Sequence, residues 1–442
     1  MPKLVALGLT EEDFHRIKDQ GQSLSGSPTP TSWPKTTILQ DAPMPARVLG
    51  GCFVLLFIAF LALQSFLTSV LPKDDGFIAL AVLYGSFACM LNFTSLIIKR
   101  LGLKLTMGLS ASTYTFLNVT VALAAQNDST VLRWLVFLGS SLCGMGAGLL
   151  WPAQSAYCTA VAQIHKETSV ERIQTAFFAA LSMCGIFGFA ITLFLIDSLG
   201  TSDYVMLITL ACISALAAAS FVFLPPLSPV MSDADKASAE LVTTWRKVWE
   251  MLSMFRKWDM VLLAVPFFHI GALEGLMWAT VTASMSSSLL SRAYIFHGIC
   301  SVVSCFLSNA SVISKSGCLP VSYTAKMLFF ISLGTTASVL AALGLHSDVE
   351  DKADLLFGGI VLFGAFDFAT QALLKGLVGR EYTGSPLIEA ASSYIQFMQT
   401  MGSVSMFVAG PLMLGWHQAV GASVLGVMSS LCLSTRAHLK AT

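Results

Sequence analysis

The sequence predicts an all-α membrane protein with twelve transmembrane helices arranged in two halves of six. Apolar residues make up 55% of the 442 residues and charged residues 11%, whereas a soluble domain carries about 25% charged residues. Twelve apolar runs of membrane-spanning length follow one another, and a more polar segment separates the first six from the last six. The composition and this division together indicate a polytopic protein built from two helical bundles.

The chain begins with a polar segment, residues 1–47, which we expect to be a mostly disordered cytoplasmic tail. Residues 21–34 are rich in Gly, Ser, Thr and Pro, a composition that cannot bury enough apolar surface to fold. The first apolar run is long enough for a full span, rather than the shorter core of a cleavable signal peptide. A short cytoplasmic tail, residues 434–442, is expected at the other end.

The predicted spans each come near the ~20 residues that a helix needs to cross a bilayer. The N-terminal half covers residues 48–224 and the C-terminal half covers residues 260–433. The runs lie at 48–71, 77–98, 105–125, 132–163, 173–196, 204–224, 260–286, 293–314, 320–345, 354–378, 387–414 and 416–433.

The positions of lysine and arginine predict the orientation in the membrane. If both termini lie on one side, 21 of the 25 basic residues fall on that side. The other side keeps four, which are Lys73, Arg133, Arg292 and Lys352. Because cytoplasmic loops carry the excess of basic residues, both termini and the central linker are expected in the cytoplasm. The membrane itself would be the plasma membrane or an endomembrane.

The linker between the halves, residues 225–259, is predicted to contain an amphipathic helix. Apolar and charged side chains alternate there at helical spacing, which favours a helix lying on the inner leaflet. A calmodulin-type target helix has the same composition and remains an alternative. The apolar positions are Leu241, Trp245, Val248, Trp249, Leu252 and Phe255, and the charged positions are Arg246, Lys247, Glu250, Arg256 and Lys257.

Three glycines and a proline distinguish the fourth predicted span. Gly144, Gly146 and Gly148 remove side chains from the helix surface, so that a neighbouring helix can approach closely. Pro152 removes a backbone donor, which would bend the helix or open its hydrogen-bond ladder. These residues therefore predict a helix that packs tightly.

Two polar residues follow this proline on one helix face. Gln154 and Tyr157 lie three residues apart. Aligning Gln154 with Gln371 places small residues, then a glutamine, in the fourth span of each half. Parallel repeats of this kind place binding groups near the midplane between the halves. Two interpretations stay open: a packing helix whose glutamine bonds a neighbour, and a helix that also faces a polar cavity.

Two carboxyl residues lie in the middle of predicted spans. Glu274 is in the seventh and Asp367 in the tenth, and Gln371 follows Asp367 on the same face. An ionisable residue at this depth costs about 2.5–3.5 kcal/mol on insertion scales, so each is a candidate functional residue. The alternative is a structural carboxyl, either protonated or bonded to another helix. The complete set of cavity candidates is Gln64, Gln154, Tyr157, His269, Glu274, Trp278, Asp367 and Gln371.

The sequence carries no signature of catalysis, of a cofactor or of a metal. It has no Gly-rich phosphate loop and no HExxH motif. Its ten cysteines are scattered, without CxxC, and are interpreted as small buried hydrophobic residues. The formal net charge of zero gives no support for a nucleic-acid partner. We therefore expect no enzyme, no cofactor and no metal site.

The 6 + 6 division and the loop after the second predicted span resemble the major facilitator superfamily. The loop usually reads Gly-x-x-x-Asp-Arg-x-Gly-Arg-Lys/Arg there. In this sequence the inner-gate positions are taken by Lys99, Arg100, Gly102 and Lys104. Lys99 stands where the superfamily has an acid that helps latch the closed inner gate, and this departure argues against ordinary alternating access.

Within that superfamily the sequence resembles the uncoordinated-ninety-three family. The likeness is strongest at residues 62–69, 82–85, 97–106 and 146–157, which include a Trp-x-x-Gln-x-x-Tyr helix. In the second half, Gly-Ala-Phe-Asp-Phe-Ala-Thr-Gln at 364–371 resembles a segment of the family. The resemblance implies the major facilitator fold. It also implies one of two activities: regulation or trafficking of potassium channels and other membrane proteins, or transport.

The leading hypothesis is therefore a regulator of potassium channels or of ion homeostasis, or a trafficking partner of membrane proteins. Its expected partners are the lipid bilayer and a potassium channel or another membrane protein. The alternative is a proton-coupled small-solute symporter, in which Glu274 and Asp367 exchange a proton. In that case Gln64, Gln154 and Gln371 would bind a small solute or ion. The lysine at the gate position favours the regulator, and the two carboxyls inside spans favour transport.

Overall fold

The computed structural model describes residues 43–127, 129–164, 170–227, 246, 249–308, 323–346, 352–382 and 387–441. All regular secondary structure within these residues is helical. Residues 1–42 of the predicted tail lie outside the described part. Leu241, Trp245, Lys247 and Val248 of the predicted linker helix also lie outside it.

The first half of the chain forms six long helices and one short one. A π-helical turn, Phe194–Ser198, extends α6, and a 3-10 turn, Phe221–Phe223, extends α7. The helices are α1 (Met44–Val70), α2 (Lys73–Met90), α3 (Thr94–Leu101), α4 (Leu103–Gln126), α5 (Thr130–Ile164), α6 (Val170–Leu193) and α7 (Asp203–Ser220).

The second half also forms six long helices. A 3-10 turn, Met254–Arg256, precedes α8, which continues as a π-helical turn, Leu276–Val281, and a 3-10 turn, Thr282–Ser284. The helices are α8 (Trp258–Gly275), α9 (Ser287–Ser308), α10 (Tyr323–His346), α11 (Lys352–Tyr382), α12 (Ile388–Ala409) and α13 (Gly415–Ala441).

Each predicted span overlaps one long helix, but the described helices differ in apolar character. Nine of those in the described residues are long and apolar enough to cross a membrane. The other three long helices are α2, α4 and α12. α2 opens with Lys73, Asp74 and Asp75, whereas α4 and α12 carry buried polar side chains such as Asn118 and Gln399. Composition thus supports a multi-span protein, and the count of twelve spans stays a prediction.

The long helices pack in two groups that follow chain order. In the first group α1 packs on α6 and α7, α5 on α2 and α4, and α4 also on α7. In the second group α8 packs on α12 and α13, α11 on α9 and α10, and α10 also on α13. The contacts that join the groups include those of α6 with α9 and α11, of α2 with α12, and of α1 with the π and 3-10 turns that end α8. A site between the groups is therefore bordered by α1, α2, α6, α8, α9, α11 and α12.

Ion pairs at the helix ends identify which ends are adjacent. Asp75 at the start of α2 pairs with Arg133 at the start of α5, with 2.8 Å between the charged atoms. Asp197 at the end of α6 pairs with Arg292 near the start of α9 at 2.9 Å. Exposed pairs such as these contribute about 0–1 kcal/mol each. The second pair ties the two helix groups together at that end of the bundle.

A second ionic cluster lies at the opposite end. Glu381 at the end of α11 accepts hydrogen bonds from Arg436, which is buried, and from Lys440 at 2.6 Å. Both basic residues belong to the end of α13, and Lys440 also lies 4.0 Å from Asp259 at the start of α8. The carboxyl-terminal helix is thus fastened to α11 and α8.

The three glycines of α5 stand where neighbouring helices leave no room for a side chain. A Cβ at Gly144 would lie 1.9 Å from the Leu83 carbonyl oxygen of α2. One at Gly146 would lie 2.1 Å from the Thr113 hydroxyl of α4. Helix α5 continues through Pro152 to Ile164, so the proline does not end it.

Candidate functional site, a carboxyl and amide cluster

Glu274 and Asp367 lie in one hydrogen-bonded cluster, although their helices are distant in the sequence. The amide nitrogen of Gln371 donates to Asp367 Oδ1 at 2.7 Å and to Glu274 Oε1 at 3.0 Å. A carboxamide nitrogen carries two hydrogens, so it can serve both acceptors at once. Gln371 therefore joins α11 to α8 through Glu274 and holds the Asp367 carboxyl beside this contact.

Helix α12 adds two more donors to Glu274. Gln399 donates from Nε2 to Glu274 Oε1 at 2.7 Å, and the Ser403 hydroxyl lies 3.4 Å from Oε2. The α8 and α12 backbones come close because glycines face each other. A Cβ at Gly271 would lie 1.7 Å from the Gln399 carbonyl oxygen, and one at Gly402 would lie 2.1 Å from a carbonyl of α8. This close approach puts the short amide of Gln399 within reach of Glu274.

Lys375 supplies the positive charge of the cluster. Its Nζ donates to Gln371 Oε1 at 2.9 Å. It also lies 5.7 Å from the centre of the Phe178 ring, which belongs to α6 of the other helix group. Asp367, Gln371 and Lys375 are four residues apart and share one face of α11. If all three ionisable side chains are charged, the cluster carries one net negative charge.

The cluster is deep in the protein but is not completely closed. Asp367 is 3% exposed and Gln399 is 5% exposed. Glu274 and Lys375 are half-buried, and so is Tyr84 of α2. Glu274 and Lys375 are therefore less deeply buried than Asp367 and Gln399.

Tyr84 extends the polar region towards the first helix group. Its hydroxyl donates to Gln64 Oε1 of α1 at 3.3 Å. Its ring centre lies 5.1 Å from that of Phe407 on α12. Gln64 is 2% exposed, so this predicted cavity residue is buried beside the contact between the groups.

Two carbonyl groups in the π turn of α8 accept hydrogen bonds from side chains of other helices. A π turn disrupts the regular helix ladder, and such turns are frequent at functional sites. The Tyr294 hydroxyl of α9 donates to the Met277 carbonyl at 2.9 Å, and the Thr68 hydroxyl of α1 donates to the Ala279 carbonyl at 3.3 Å. Trp278 stacks on Tyr294, with ring centres 4.5 Å apart.

Three other predicted cavity residues have no described hydrogen bond to the cluster. Gln154 donates to Cys158 in its own helix at 3.2 Å, and Tyr157 donates to the Pro225 carbonyl at 3.0 Å. His269 is fully buried, and neither ring nitrogen has a hydrogen-bond partner in the described part of the chain. Its ring centre lies 5.3 Å from that of Phe366, the neighbour of Asp367.

The loop that resembles an inner gate is placed by a glycine. Gly102 separates α3 from α4 with a φ of 77°, a conformation that other residues rarely adopt. Lys104 donates to the Val222 carbonyl at the end of α7 at 2.7 Å, and Arg100 is exposed. The side chain of Lys99 lies outside the described part of the structure.

Lys375, Gln399 and Ser403 are not among the predicted site residues. Lys375 is one of the 21 basic residues that the orientation argument places on the cytoplasmic side. The sequence signal for Lys375 is its spacing: it lies one helical turn beyond Gln371, on the face of α11 that also carries Asp367. For Gln399 and Ser403 the sequence offers only their i, i+4 spacing, a weak signal.

Solved structures show which fold the chain has. The nucleoside transporter NupG superposes with a TM-score of 0.57 at 16% identity, over 89% of this chain and 99% of that one. A POT family transporter in complex with 5-aminolevulinic acid gives a TM-score of 0.64 at 11% identity, over 90% and 98%. At this identity the likeness shows the fold alone: an all-helical membrane protein of the major facilitator type.

The family follows from the sequence. The profile of the ion channel regulatory protein UNC-93 family matches residues 68–434, and the chain belongs to that family. Human protein unc-93 homolog A is 24% identical over 400 residues, which cover 80% of this chain and 84% of the relative. UNC93-like protein 3 of Arabidopsis thaliana is 32% identical over 158 residues, or 34% and 32% of the two chains. The predicted resemblance is confirmed.

Proposed function

We propose that this protein regulates ion channels, or guides membrane proteins to their destination, and is not an enzyme. The observation that carries the proposal is the match to the ion channel regulatory family over residues 68–434, which include all of α2 to α12. A potassium channel is the proposed partner. A Caenorhabditis elegans relative, 36% identical over 113 residues (25% of this chain and 15% of the relative), bears a name that provisionally assigns it to potassium channel regulation.

The proposed arrangement has twelve spans in two halves, residues 48–224 and 260–433. The termini and the linker at 225–259 lie in the cytoplasm. The membrane that holds the spans is the plasma membrane or an endomembrane. Support comes from the overlap of each predicted span with a long helix and from the distribution of basic residues. Lys99 in place of the gate acid also favours a protein that does not need to cycle between two open states.

A direct test is to co-express the protein with potassium channels in cells that lack both. We expect a change in current or in the surface amount of at least one channel, together with co-purification of that channel. Glu274→Gln should retain this effect, since a glutamine can still bond Gln371 and Gln399. Unchanged currents, unchanged surface amounts and no co-purification across the channel panel would reject the regulator hypothesis.

The second candidate is a proton-coupled symporter, which the hydrogen-bonded pair of carboxyl groups favours. Gln371 joins Asp367 to Glu274, and intramembrane carboxyls of this kind serve proton relays in transporters. In this proposal the two carboxyls exchange a proton and Gln371 contacts the solute. Gln64 and Gln154 have weaker support, because Gln64 bonds Tyr84 and Gln154 bonds within its own helix.

Purified protein in liposomes separates the two functions. Uptake of labelled solutes and ions would be measured with and without a pH gradient. A symporter must show uptake that the gradient drives and that Glu274→Gln abolishes without loss of folded protein. No uptake beside an intact channel effect would leave the regulator alone, and uptake that does not depend on the gradient would exclude proton coupling.

A further inference from the structure

We propose that the cluster of Glu274, Asp367, Gln371 and Gln399 is a binding site for a primary alkylammonium ligand. The site would take such a ligand whether or not the ligand crosses the membrane and whether or not a channel is bound. The inference therefore stands apart from both functions proposed above. Four properties of the described residues carry it: charge, unpaired acceptors, the contacts of Lys375 and the small number of oxygen ligands.

The first property is the charge balance of the cluster. Two carboxyl groups, Glu274 and Asp367, face one ammonium group, Lys375, so a single negative charge is left over when all are ionised. A buried charge without a partner is strongly unfavourable. One bound monovalent cation restores neutrality. A proton would also do so, but it adds a single O–H donor, whereas a primary ammonium brings three N–H donors.

The second property is an excess of hydrogen-bond acceptors. Gln399 is 5% exposed, and its Oε1 has no hydrogen-bond partner among the described residues. Its Nε2 donates to Glu274 Oε1 at 2.7 Å, so the amide group lies beside that carboxyl. Glu274 Oε2 has a described contact only with the Ser403 hydroxyl, at the long distance of 3.4 Å. Buried acceptors are normally paired, and a primary ammonium offers three N–H donors to such groups.

The third property is the way the protein already holds an alkylammonium group here. The Nζ of Lys375 is bound by the Gln371 carbonyl oxygen at 2.9 Å and lies over the Phe178 ring at 5.7 Å. An amide oxygen together with an aromatic face is a common environment for an organic cation. The half-buried ring of Tyr84 adds a second aromatic surface close to the contact of α2 with α12.

The fourth property argues against a metal ion. Glu274 Oε1 already accepts two amide N–H groups, so it faces donors rather than an open coordination position. The other carboxylate and amide acceptors of the cluster, Glu274 Oε2, Asp367 Oδ2 and Gln399 Oε1, fall short of the roughly six oxygens that hard cations require. Within the described residues, no group of three or more His, Cys, Asp and Glu side chains could hold a metal.

The test uses the full-length protein purified in lipid nanodiscs. The probe is n-butylammonium chloride, which copies the end of a lysine side chain. Binding is measured by calorimetry and by the shift in thermal unfolding, since a ligand that binds the folded state raises the unfolding temperature. Tetramethylammonium chloride, which has the charge but no N–H donor, and potassium chloride serve as comparators at the same ionic strength.

We expect saturable binding of n-butylammonium and no comparable binding of the two comparators. Glu274→Gln and Asp367→Asn should each raise the Kd about tenfold or more, because each removes a charge-assisted acceptor. Lys375→Gln should lower the Kd, because a competing ammonium is gone. Glu250→Gln, which removes a charge on the linker segment, should leave the Kd unchanged.

Three outcomes would overturn the proposal. Equal shifts with all three salts would indicate a salt effect, and binding of potassium alone would indicate an inorganic cation site. An unchanged Kd in both carboxyl variants would place the ligand elsewhere. Size-exclusion profiles and unfolding temperatures of every variant establish that it is folded, and Asp367→Asn decides the result if Glu274→Gln is unstable. The channel and uptake assays are independent of this outcome.

Discussion

Replacement of Glu274 by leucine should destabilise the protein far more than replacement by glutamine. Leucine leaves the Gln399 amide nitrogen without its described acceptor at 2.7 Å and removes one of the two acceptors of Gln371. An unsatisfied buried donor costs about 1–3 kcal/mol, and a lost ordinary hydrogen bond costs about 0.5–1.5 kcal/mol. The expected loss for Glu274→Leu is therefore about 2–4 kcal/mol.

Glu274→Gln keeps a carbonyl oxygen that can accept from both Gln371 and Gln399. Its new amide nitrogen can donate to the Ser403 hydroxyl, so we expect a loss below about 1 kcal/mol. The assay is thermal unfolding of purified protein in nanodiscs, with Glu250→Leu on the linker segment as the control. If Glu274→Leu proves as stable as the parent protein, the hydrogen bonds of the cluster do not hold α8, α11 and α12 together.

Three further predictions concern topology, lipid contact and helix packing. A cysteine placed at Ser238 should resist labelling by an impermeant reagent applied from outside, and its modification would reverse the predicted orientation. Replacing the four basic residues of the linker pattern with glutamine should weaken contact with anionic lipid by about 1 kcal/mol per charge; equal binding of a 238–259 peptide to neutral and anionic vesicles would exclude the electrostatic part. Gly271→Ala should cost about 1–3 kcal/mol through overpacking, because its Cβ would lie 1.7 Å from the Gln399 carbonyl. Gly421→Ala, where the space is open, is the matched control, and equal unfolding temperatures for the two variants would contradict the packing argument.

The sequence was a good guide to the helices because the bilayer sets their length. Apolar runs near twenty residues mark the spans whatever their neighbours are, and each run overlaps a long helix. Glu274 and Asp367 could be found for the same reason, since a carboxyl inside an apolar run is costly. Local spacing also placed Gln371 beside Asp367 on α11.

The partners of Glu274 could not be predicted from spacing. They come from α11 and α12, about a hundred residues along the chain, and nothing in the sequence fixes which faces of those helices meet α8. Gln399 is one of many amides inside spans, and only the approach of Gly271 and Gly402 brings it to the carboxyl. Lys375 was missed because a lysine near a helix end normally extends to the membrane surface, whereas here Gln371 holds it.

Gln154 is a residue that the sequence makes conspicuous but that has no described hydrogen bond to the cluster. It stands in the stretch with the most distinctive sequence of the chain, beside the glycines of α5. In the structure its amide bonds Cys158 of the same helix, and Tyr157 ties α5 to residues after α7. The conspicuous sequence pattern reflects the close packing of α2, α4 and α5. This packing requirement is separate from the polar cluster on α8, α11 and α12.

The π turn of α8 rotates the residues after it, relative to those before it, about the helix axis. Because such a turn contains one residue more than an α-helical turn, the residues beyond it are rotated by about 100° relative to an uninterrupted α-helix. Before the turn Glu274 is directed at α11 and α12, and after it the Thr282 hydroxyl lies 3.3 Å from that of Thr68 on α1. A single supernumerary residue thus sets the phase between the two ends of α8. Deleting one residue from Leu276–Val281 would rotate one end of α8 relative to the other. The helix could then keep its contacts with α11 and α12 or its contact with α1, but not both.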